Sequence, residues 1–420
     1  MASFAEESSF GKERALVPLD DARREALAMF TPLPIAYVPL GQCLGLVLAE
    51  DIRAPHPVPS FANSAMDGYA VRAEDATTAP VRLEVVGHLP AGRAPAFVVG
   101  KGQAARIMTG APMPPGADAV AVLEATRAID HATVELLEPV RTGDNVRLPG
   151  EDLPEGSVVL EAGTLLGPAQ LGVAASIGLA SLPVRRKPRV GVLSSGDELA
   201  GPGDAPLEPG RIRDANRPAL LALAEESGCE AVDLGIVPDD EDALRSAVLE
   251  AAATCDVLLT SGGVSLGDHD HMRSVLEGIS RTAMHWLEVA IKPAKPLALG
   301  TVQGTPVVGL PGNPVSALVS FELFARPGLR TMLGDPVVER PRTKAVALEA
   351  LRRRPDGKLH LVRVQVRPGE DGRLVARSAG GQGSHQLGAM ARANALVLLE
   401  DGTGVDEGDL VDVMLLGPWR

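Results

Sequence analysis

The chain has 420 residues, a formal net charge of −14, 45% hydrophobic residues and only 3% aromatic ones. At ~100–200 residues per domain, this length predicts roughly two to four domains with aliphatic cores. The acidic balance argues against a duplex-binding face, and the scarcity of aromatics against base-stacking platforms, so no nucleic-acid partner is expected. Cys43, Cys229 and Cys255 stand far apart with no C-x-x-C or Cys/His spacing, which indicates neither a zinc site nor a disulfide framework. The polar opening MASFAEESSFGKER lacks the apolar core of a secretory signal. Residues 162–184 carry no charge, but Gly163, Pro168, Gly172, Gly178 and Pro183 interrupt them too often for a spanning helix. No membrane contact and a cytoplasmic location are expected.

Taken in chain order, residues 15–29 suit a helix, and residues 40–52 a second short helix followed by an extended piece. Pro55, Pro57 and Pro59 then hold an extended linker. The short runs YAVRA, VRLEVVGHL, ARIM, DAVAVLE and TVELLEPV predict an inserted β module at 54–147. A helical and extended connector, 15–53 plus 148–186, flanks it on both sides. From Lys187 the texture changes. The buried runs RVGVLSS, AVDLGIV, DVLLTSGG and TPVVGLPGN alternate with helical segments, which predicts a central, doubly wound α/β domain at 187–335 with a parallel sheet. Asn216 is read as the N-cap of its first helix and Gly228 as the stop. Residues 336–420 return to β patterning, with Asp356-Gly357 and Asp371-Gly372 read as hairpin turns, and predict a small C-terminal barrel-like domain. The fold class is therefore multidomain α/β plus β.

Ligands of open α/β sheets bind beyond the carboxyl ends of the strands. Four polar segments fall there. Ser194, Ser195 and Gly196 let backbone N–H groups approach a phosphate, and Glu198 offers a hard-cation ligand. Ser261, Gly262, Gly263 and Ser265 form a second close-approach turn, followed by Asp268, His269, Asp270 and His271. The alternating histidines have no third partner nearby, which disfavours a transition metal. Lys292 and Lys295, stiffened by Pro293 and Pro296, are read as polyproline-like, with both ammoniums on one side. Pro311, Gly312, Asn313, Pro314 and Ser316 start a helix, with Asn313 as N-cap and Pro314 at N1, and the first-turn N–H groups suit an oxyanion. Together these segments fit metal-assisted phosphoryl or nucleotidyl chemistry. No G-x-x-x-x-G-K-[ST] run and no G-x-G-x-x-G strand–helix junction is present, which disfavours ordinary P-loop and dinucleotide enzymes.

In order and spacing, SSGDEL, TSGGVSLGDHDH, IKPAKP and LPGNPVS resemble the molybdopterin molybdenumtransferases, the family that includes the E domain of gephyrin. SAMDGYA, RIMTGA, Gly150-Glu151-Asp152 and SHQLGAMARANALVLL extend the resemblance over nearly the whole chain. The resemblance implies a four-part subunit in a homodimer, with the connector at the dimer interface. It implies adenylylated molybdopterin and molybdate as substrates, insertion of molybdate at the dithiolene, and release of AMP with Mg²⁺. Glu198, Asp239, Asp270, Lys292 and Lys295 match the family's site positions, with Glu198 and Asp270 toward the metal. Asp67 and Thr109 would arrive from the β module across the dimer, Asp152 matches a further acidic position, and the PGNPVS loop would help seat molybdate. Partners implied are a molybdopterin adenylyltransferase and apo-molybdoenzymes. The sequence departs from the family around Asp268, His269 and His271, and carries Ala294 where relatives often have Gly. Without the resemblance, Asp67 and Thr109 read equally as turn residues, and Asp239 as a helix cap. Two alternatives are a molybdopterin adenylyltransferase-like enzyme and a non-catalytic gephyrin-like scaffold.

Overall fold

A computed structural model describes residues 15–203, 207–264, 271–280 and 284–417. It divides into two compact units, one formed by Val38–Leu44 with Glu50–Leu182 and the other by the remainder. Among the described residues no helix is long and apolar enough to cross a membrane. Helix α1 (Leu19–Leu27) carries Asp20 and Asp21 in its first turn, where they complement the helix dipole. It buries Ala22 and Ala26 in the core of the α/β sheet described below.

The inserted unit is built on six strands, β1 (Gly68–Val71), β2 (Val81–Leu89), β3 (Gln103–Ile107), β4 (Ala119–Val122), β5 (Thr126–Ala128) and β6 (Thr133–Leu136), in the order β4-β1-β3-β2-β6-β5. Every pairing is antiparallel except β2 with β3. Successive side chains feed opposite faces, as the period of two requires. Tyr69 and Val71 enter one apolar cluster, and Ala70, Ala105 and Val120 another. Helix α2 (Pro168–Ser176), with proline at its start, belongs to the same unit.

The other unit carries the α/β sheet. Strands β7 (Arg189–Ser195), β8 (Glu230–Val237), β9 (Val257–Ser261), β10 (His285–Glu288), β12 (Pro296–Val302) and β13 (Thr305–Leu310) stand in the order β8-β7-β9-β13-β12-β10, with β11 (Ile291–Lys292) in another sheet. The first four are mutually parallel, and β12 and β10 add antiparallel at one edge. The sheet is thus mixed, a refinement of the parallel sheet expected. Both faces are covered, which is why its strands read as continuous apolar runs. Val190, Val192 and Leu259 pack with α3 (Asn216–Glu226), while Leu193 and Leu258 pack with α4 (Glu241–Thr254) and α5 (His271–Ile279).

Helix α6 (Pro314–Ser320) runs through a π-helical turn, Phe321–Ala325, into α7 (Arg326–Met332). The turn buries Glu322, and Arg340 meets it in a bidentate pair at 2.8 and 2.9 Å while also binding Glu226 at 2.7 Å.

Strands β14 (Arg342–Ala347), β15 (Leu359–Pro368), β16 (Leu374–Ser378), β17 (Ala395–Leu399) and β18 (Leu410–Leu415) close a five-stranded barrel through the β15–β17 pairing, and β11 adds alongside β15. Asp371-Gly372 turns the β15–β16 hairpin, as the sequence predicts. Asp356-Gly357 does not, because the strand before it (Leu351–Arg352) pairs with Gly404–Val405 instead. Val364, Val366 and Val397 fill the barrel, while Leu361 on the outer face joins the α/β core.

The Glu322–Arg340 pair fixes the long helix that begins at the PGNPVS loop. Arg340→Met leaves the buried Glu322 carboxylate with only the longer, 3.9 Å contact to Arg326 and is expected to cost about 3 kcal/mol, whereas the double variant with Glu322→Met recovers most of the loss. Urea unfolding of the four proteins reads both quantities. A single-variant loss under ~1 kcal/mol would contradict the assignment.

Candidate active site

The chain passes β7-α3-β8 in one direction and returns β8-α4-β9 across β7, so the strand order reverses between β7 and β9. Such a reversal opens a crevice at the carboxyl edge. Here the loops after β7, β9 and β13 come into direct contact. A Cβ added to Gly262 would stand 3.1 Å from the Ser195 carbonyl oxygen, at a φ of +90° that disfavours any side chain. The Gly262 N–H donates to the Leu310 carbonyl at 3.1 Å, and a Cβ on Gly312 would lie 3.8 Å from Gly262 Cα. Ser194, Ser195, Gly196, Ser261, Gly262, Gly263, Pro311 and Gly312 are therefore neighbours. Ser194 and Ser261 are register partners on adjacent strands, and both are buried. The Ser194 and Thr260 hydroxyls are buried without a partner among the described residues.

The acidic side of the crevice is also compact. A Cβ on Gly196 would sit 2.4 Å from a Glu198 carboxylate oxygen, so Glu198 folds back over the Gly196 turn. Asp239 follows β8, and its N–H donates to the Asp197 carboxylate at 3.2 Å while the Asp197 N–H donates to the Asp239 carboxylate at 3.3 Å. Asp239 is not a helix cap. Asp240 takes that role, accepting from the Ala243 N–H at 2.9 Å. Ser265, Asp268, His269 and Asp270 lie outside the described residues. His271 opens α5, 3.7 Å from Glu241.

At the PGNPVS loop, Asn313 and Pro314 occupy the N-cap and N1 positions, but the exposed Asn313 side chain makes no capping bond. The Val315 N–H donates to the Ser384 carbonyl at 3.1 Å, so the first turn of α6 offers fewer free donors than the sequence implies. Ser316 is buried in that turn.

The lysine segment differs from its expected shape. Lys292-Pro293 is cis and Ala294 has φ +76°, so the piece is a turn and not a polyproline stretch. That φ explains why glycine suits position 294. Register places the segment at the carboxyl edge. Ala298 pairs with Gly309, so Lys295 lies beside the end of β13. The Lys295 ammonium is half-exposed and bound to Glu288 at 2.9 Å. Lys292 pairs with His360 of the barrel strand β15 and lines a cavity of about 490 Å³ with Pro293, His360, Gln382 and Gly383.

Three residues that the sequence does not mark as site residues stand in this neighbourhood. Arg363, on the outer barrel face, is fully buried. One of its nitrogens donates to Gly381 and Gly383 carbonyls at 2.9 and 3.3 Å, while Nε and Nη1 have no partner among the described residues. Burial lowers its pKa, and among the described residues no carboxylate offsets that. In the sequence, Arg363 alternates with Val362 and Val364 and therefore reads as a solvent-facing residue. Only the tertiary packing of the barrel on the α/β core covers it. Glu288 gives no local signal. Asn216, expected as a cap, is instead the first residue of α3. Asp214 accepts the Arg217 N–H at 3.1 Å, and the Asn216 amide turns to the loops.

Asp67, Thr109 and Asp152 belong to the inserted unit. One Asp67 oxygen accepts both the Thr109 N–H at 2.7 Å and its hydroxyl at 2.8 Å. These bonds, the backbone one foremost, hold Asp67 below the usual carboxylate range. Asp152 is exposed, its N–H donating to Val58 at 3.1 Å. Among the described residues no cluster of three His, Cys, Asp or Glu groups is arranged to hold a metal. Cys229 is buried, with its thiol pushed up to about 12, and is chemically quiet.

Thr109→Val keeps the backbone bond and deletes the hydroxyl, so the Asp67 pKa should rise part of the way to its ordinary value, read by carboxyl NMR titration. Because the folded pKa is depressed, the stability Asp67 contributes is present above the ordinary carboxylate range and lost as pH falls through the depressed value. In the variant the contribution is smaller and its loss is complete at a higher pH. An unchanged titration would show that the hydroxyl bond is idle.

Known proteins resemble this chain over nearly its whole length. Residues 17–178 match the MoeA N-terminal region (domain I and II), residues 191–331 the probable molybdopterin binding domain, and residues 344–416 the MoeA C-terminal region (domain IV). The chain is 38% identical to the molybdopterin molybdenumtransferase of Haemophilus influenzae, over 95% of this chain and 98% of that one. It is 42% identical to molybdopterin molybdenumtransferase 2 of Mycobacterium tuberculosis, over 90% and 94%. The solved molybdopterin biosynthesis moeA protein of Pyrococcus horikoshii OT3 superposes with a TM-score of 0.81 at 30% identity, covering 96% of this chain and all of that one. The chain belongs to the molybdopterin molybdenumtransferase family.

Proposed function

We propose that this chain inserts molybdate into adenylylated molybdopterin with release of AMP, as a step of molybdenum-cofactor biosynthesis. Relatives alike over nearly their whole length carry the molybdenumtransferase name. The observation that carries the reading is the contact of three strand-end loops beside a lysine segment and a buried, incompletely partnered arginine. Tetrahedral molybdate is a dianion, and Arg363, Lys292, Lys295 and the start of α6 supply positive potential for it. The Ser194–Gly196 and Ser261–Gly263 turns cradle the phosphoanhydride. A water oxygen bonds to the adenylyl phosphorus as the P–O bond to the pterin phosphate breaks, giving AMP and the pterin monophosphate with the water protons shared between them, and charge grows on the departing phosphate oxygens. Lys295 offsets it once an anion draws its ammonium from Glu288.

Glu198 and Asp270 are the proposed Mg²⁺ ligands, with Asp239 close by. Their hard oxygen donors fit an ion that needs only one or two carboxylates beside phosphate oxygens. When bound, the ion neutralises anhydride charge. In a homodimer, Asp67 and Thr109 of the β module would complete the partner's site, and Asp152 would contribute a further acidic group. Four functional parts follow, at 15–53 with 148–186, 54–147, 187–335 and 336–420, in a cytoplasmic enzyme served by an adenylyltransferase and serving apo-molybdoenzymes.

Adenylylated molybdopterin should release AMP faster with molybdate than without it, and Lys295→Ala should slow that release about 100-fold, the equivalent of ~3 kcal/mol of charge stabilisation. Mixing Asp67→Ala with Lys295→Ala subunits should restore part of the activity if sites are shared across a dimer. Release that ignores molybdate would overturn the reading, and absence of complementation would remove the shared site.

A further inference from the structure

We propose that Asn216 is a positioning residue that aims one hydrogen-bond donor into each of the two anion seats. The inference rests on the proposed function for the identity of the guests. Asn216 is buried, and its side-chain nitrogen donates to the Ser261 hydroxyl at 2.8 Å and to the Gly312 carbonyl at 2.7 Å. A carbonyl can only accept, so the atom facing Gly312 is the amide nitrogen, and both of its protons are committed.

Two consequences follow. The Ser261 oxygen accepts from Asn216, so its own proton points elsewhere and is available to a phosphate oxygen at the β9 loop. The Gly312 carbonyl points at Asn216. In a planar trans peptide the next N–H points the opposite way, so the Asn313 N–H is turned away from α3 at the oxyanion loop. Asn216 is spared from capping because it is the first residue of α3, where Asp214 just ahead of the helix accepts the Arg217 N–H at 3.1 Å, and Arg217 locks that start by bonding Asp214 at 3.0 Å and pairing with Asp233. A rigid helix start thus reaches across the crevice and orients both loops.

The chemistry requires an amide. In Asn216→Asp a carboxylate would accept the Ser261 proton, drawing it inward, and would repel the Gly312 carbonyl, so both seats lose a donor. In Asn216→Ala the serine proton stays free to rotate outward. Because Asn216→Asp also buries a carboxylate, which is costly in a merely structural role too, anion binding by the folded variants and not stability separates the two roles. The test compares wild type, Asn216→Asp and Asn216→Ala in molybdate-dependent AMP release, together with calorimetric binding of inorganic pyrophosphate and of molybdate alone. We expect kcat/KM to fall about 100-fold for Asp and about 10-fold for Ala, measured below the melting transition of each variant. Binding of both probes should weaken more for Asp than for Ala, and adding Ser261→Ala should shrink the effect of Asp. An Ala loss equal to or larger than the Asp loss, or probe binding unchanged in the Asp variant, would overturn the inference. Wild type that fails to release AMP would instead refute the functional reading, leaving the binding comparison to judge Asn216.

Discussion

The meeting of the strand-end loops that forms the phosphoanhydride cradle depends on one close approach of backbones, the Gly262 turn pressed against the Ser195 carbonyl and tied to Leu310. Three parallel strands deliver their carboxyl ends to the same place, and only a residue without a side chain lets the loops meet. The contact converts an ordinary reversal of strand order into a crevice with donors on several sides. It also explains why small residues crowd the sheet edge. Ser194, Ser195, Thr260 and Ser261 are all buried there, and two of their hydroxyls lack protein partners among the described residues. Buried hydroxyls without partners are costly in a closed core. At a ligand crevice the guest can satisfy them.

The second theme is unbalanced charge. Among the described residues Arg363 is buried without a carboxylate partner, and Lys295 is held by a single half-buried glutamate. The Glu322–Arg340 pair in the same unit shows what a purely structural arrangement looks like, with a bidentate geometry and a second carboxylate, Glu226, beside it. The contrast supports assigning the first two cations to an anionic guest and the third to holding the helix that follows the PGNPVS loop. The barrel supplies Arg363 and receives the Val315 N–H through Ser384, so it forms part of the crevice's surroundings and is more than an appendage.

Much of the fold was legible because the sheet advertises itself. Continuous apolar runs such as RVGVLSS and DVLLTSGG need burial on both faces, and the clusters on each side of β7 and β9 provide it. The strand-end loops were legible for the same reason, since a polar, glycine-bearing segment after such a run has few other places to go. The misses share a physical cause, which is that side-chain roles are set by neighbours distant in sequence. Asn216 looks like a cap but is the first residue of α3, with Asp214 accepting just ahead of it. Asp239 looks like a cap until Asp240 does. Lys292 and Lys295 look like a stiff extended pair, whereas Ala294 in the left-handed region folds them into a turn. Arg363 looks like a surface residue on an alternating strand until a second domain covers that face.

The central claim is that the crevice holds two anions side by side, with the Gly262 turn essential to one of them. The most direct test is equilibrium titration of inorganic pyrophosphate and molybdate, singly and together, into the native chain and into Gly262→Ala. The account predicts that molybdate binds the pyrophosphate-saturated native chain, and that the added methyl group abolishes pyrophosphate binding while molybdate binding persists. Mutually exclusive binding of the two anions, or native affinity for both in Gly262→Ala, would contradict it.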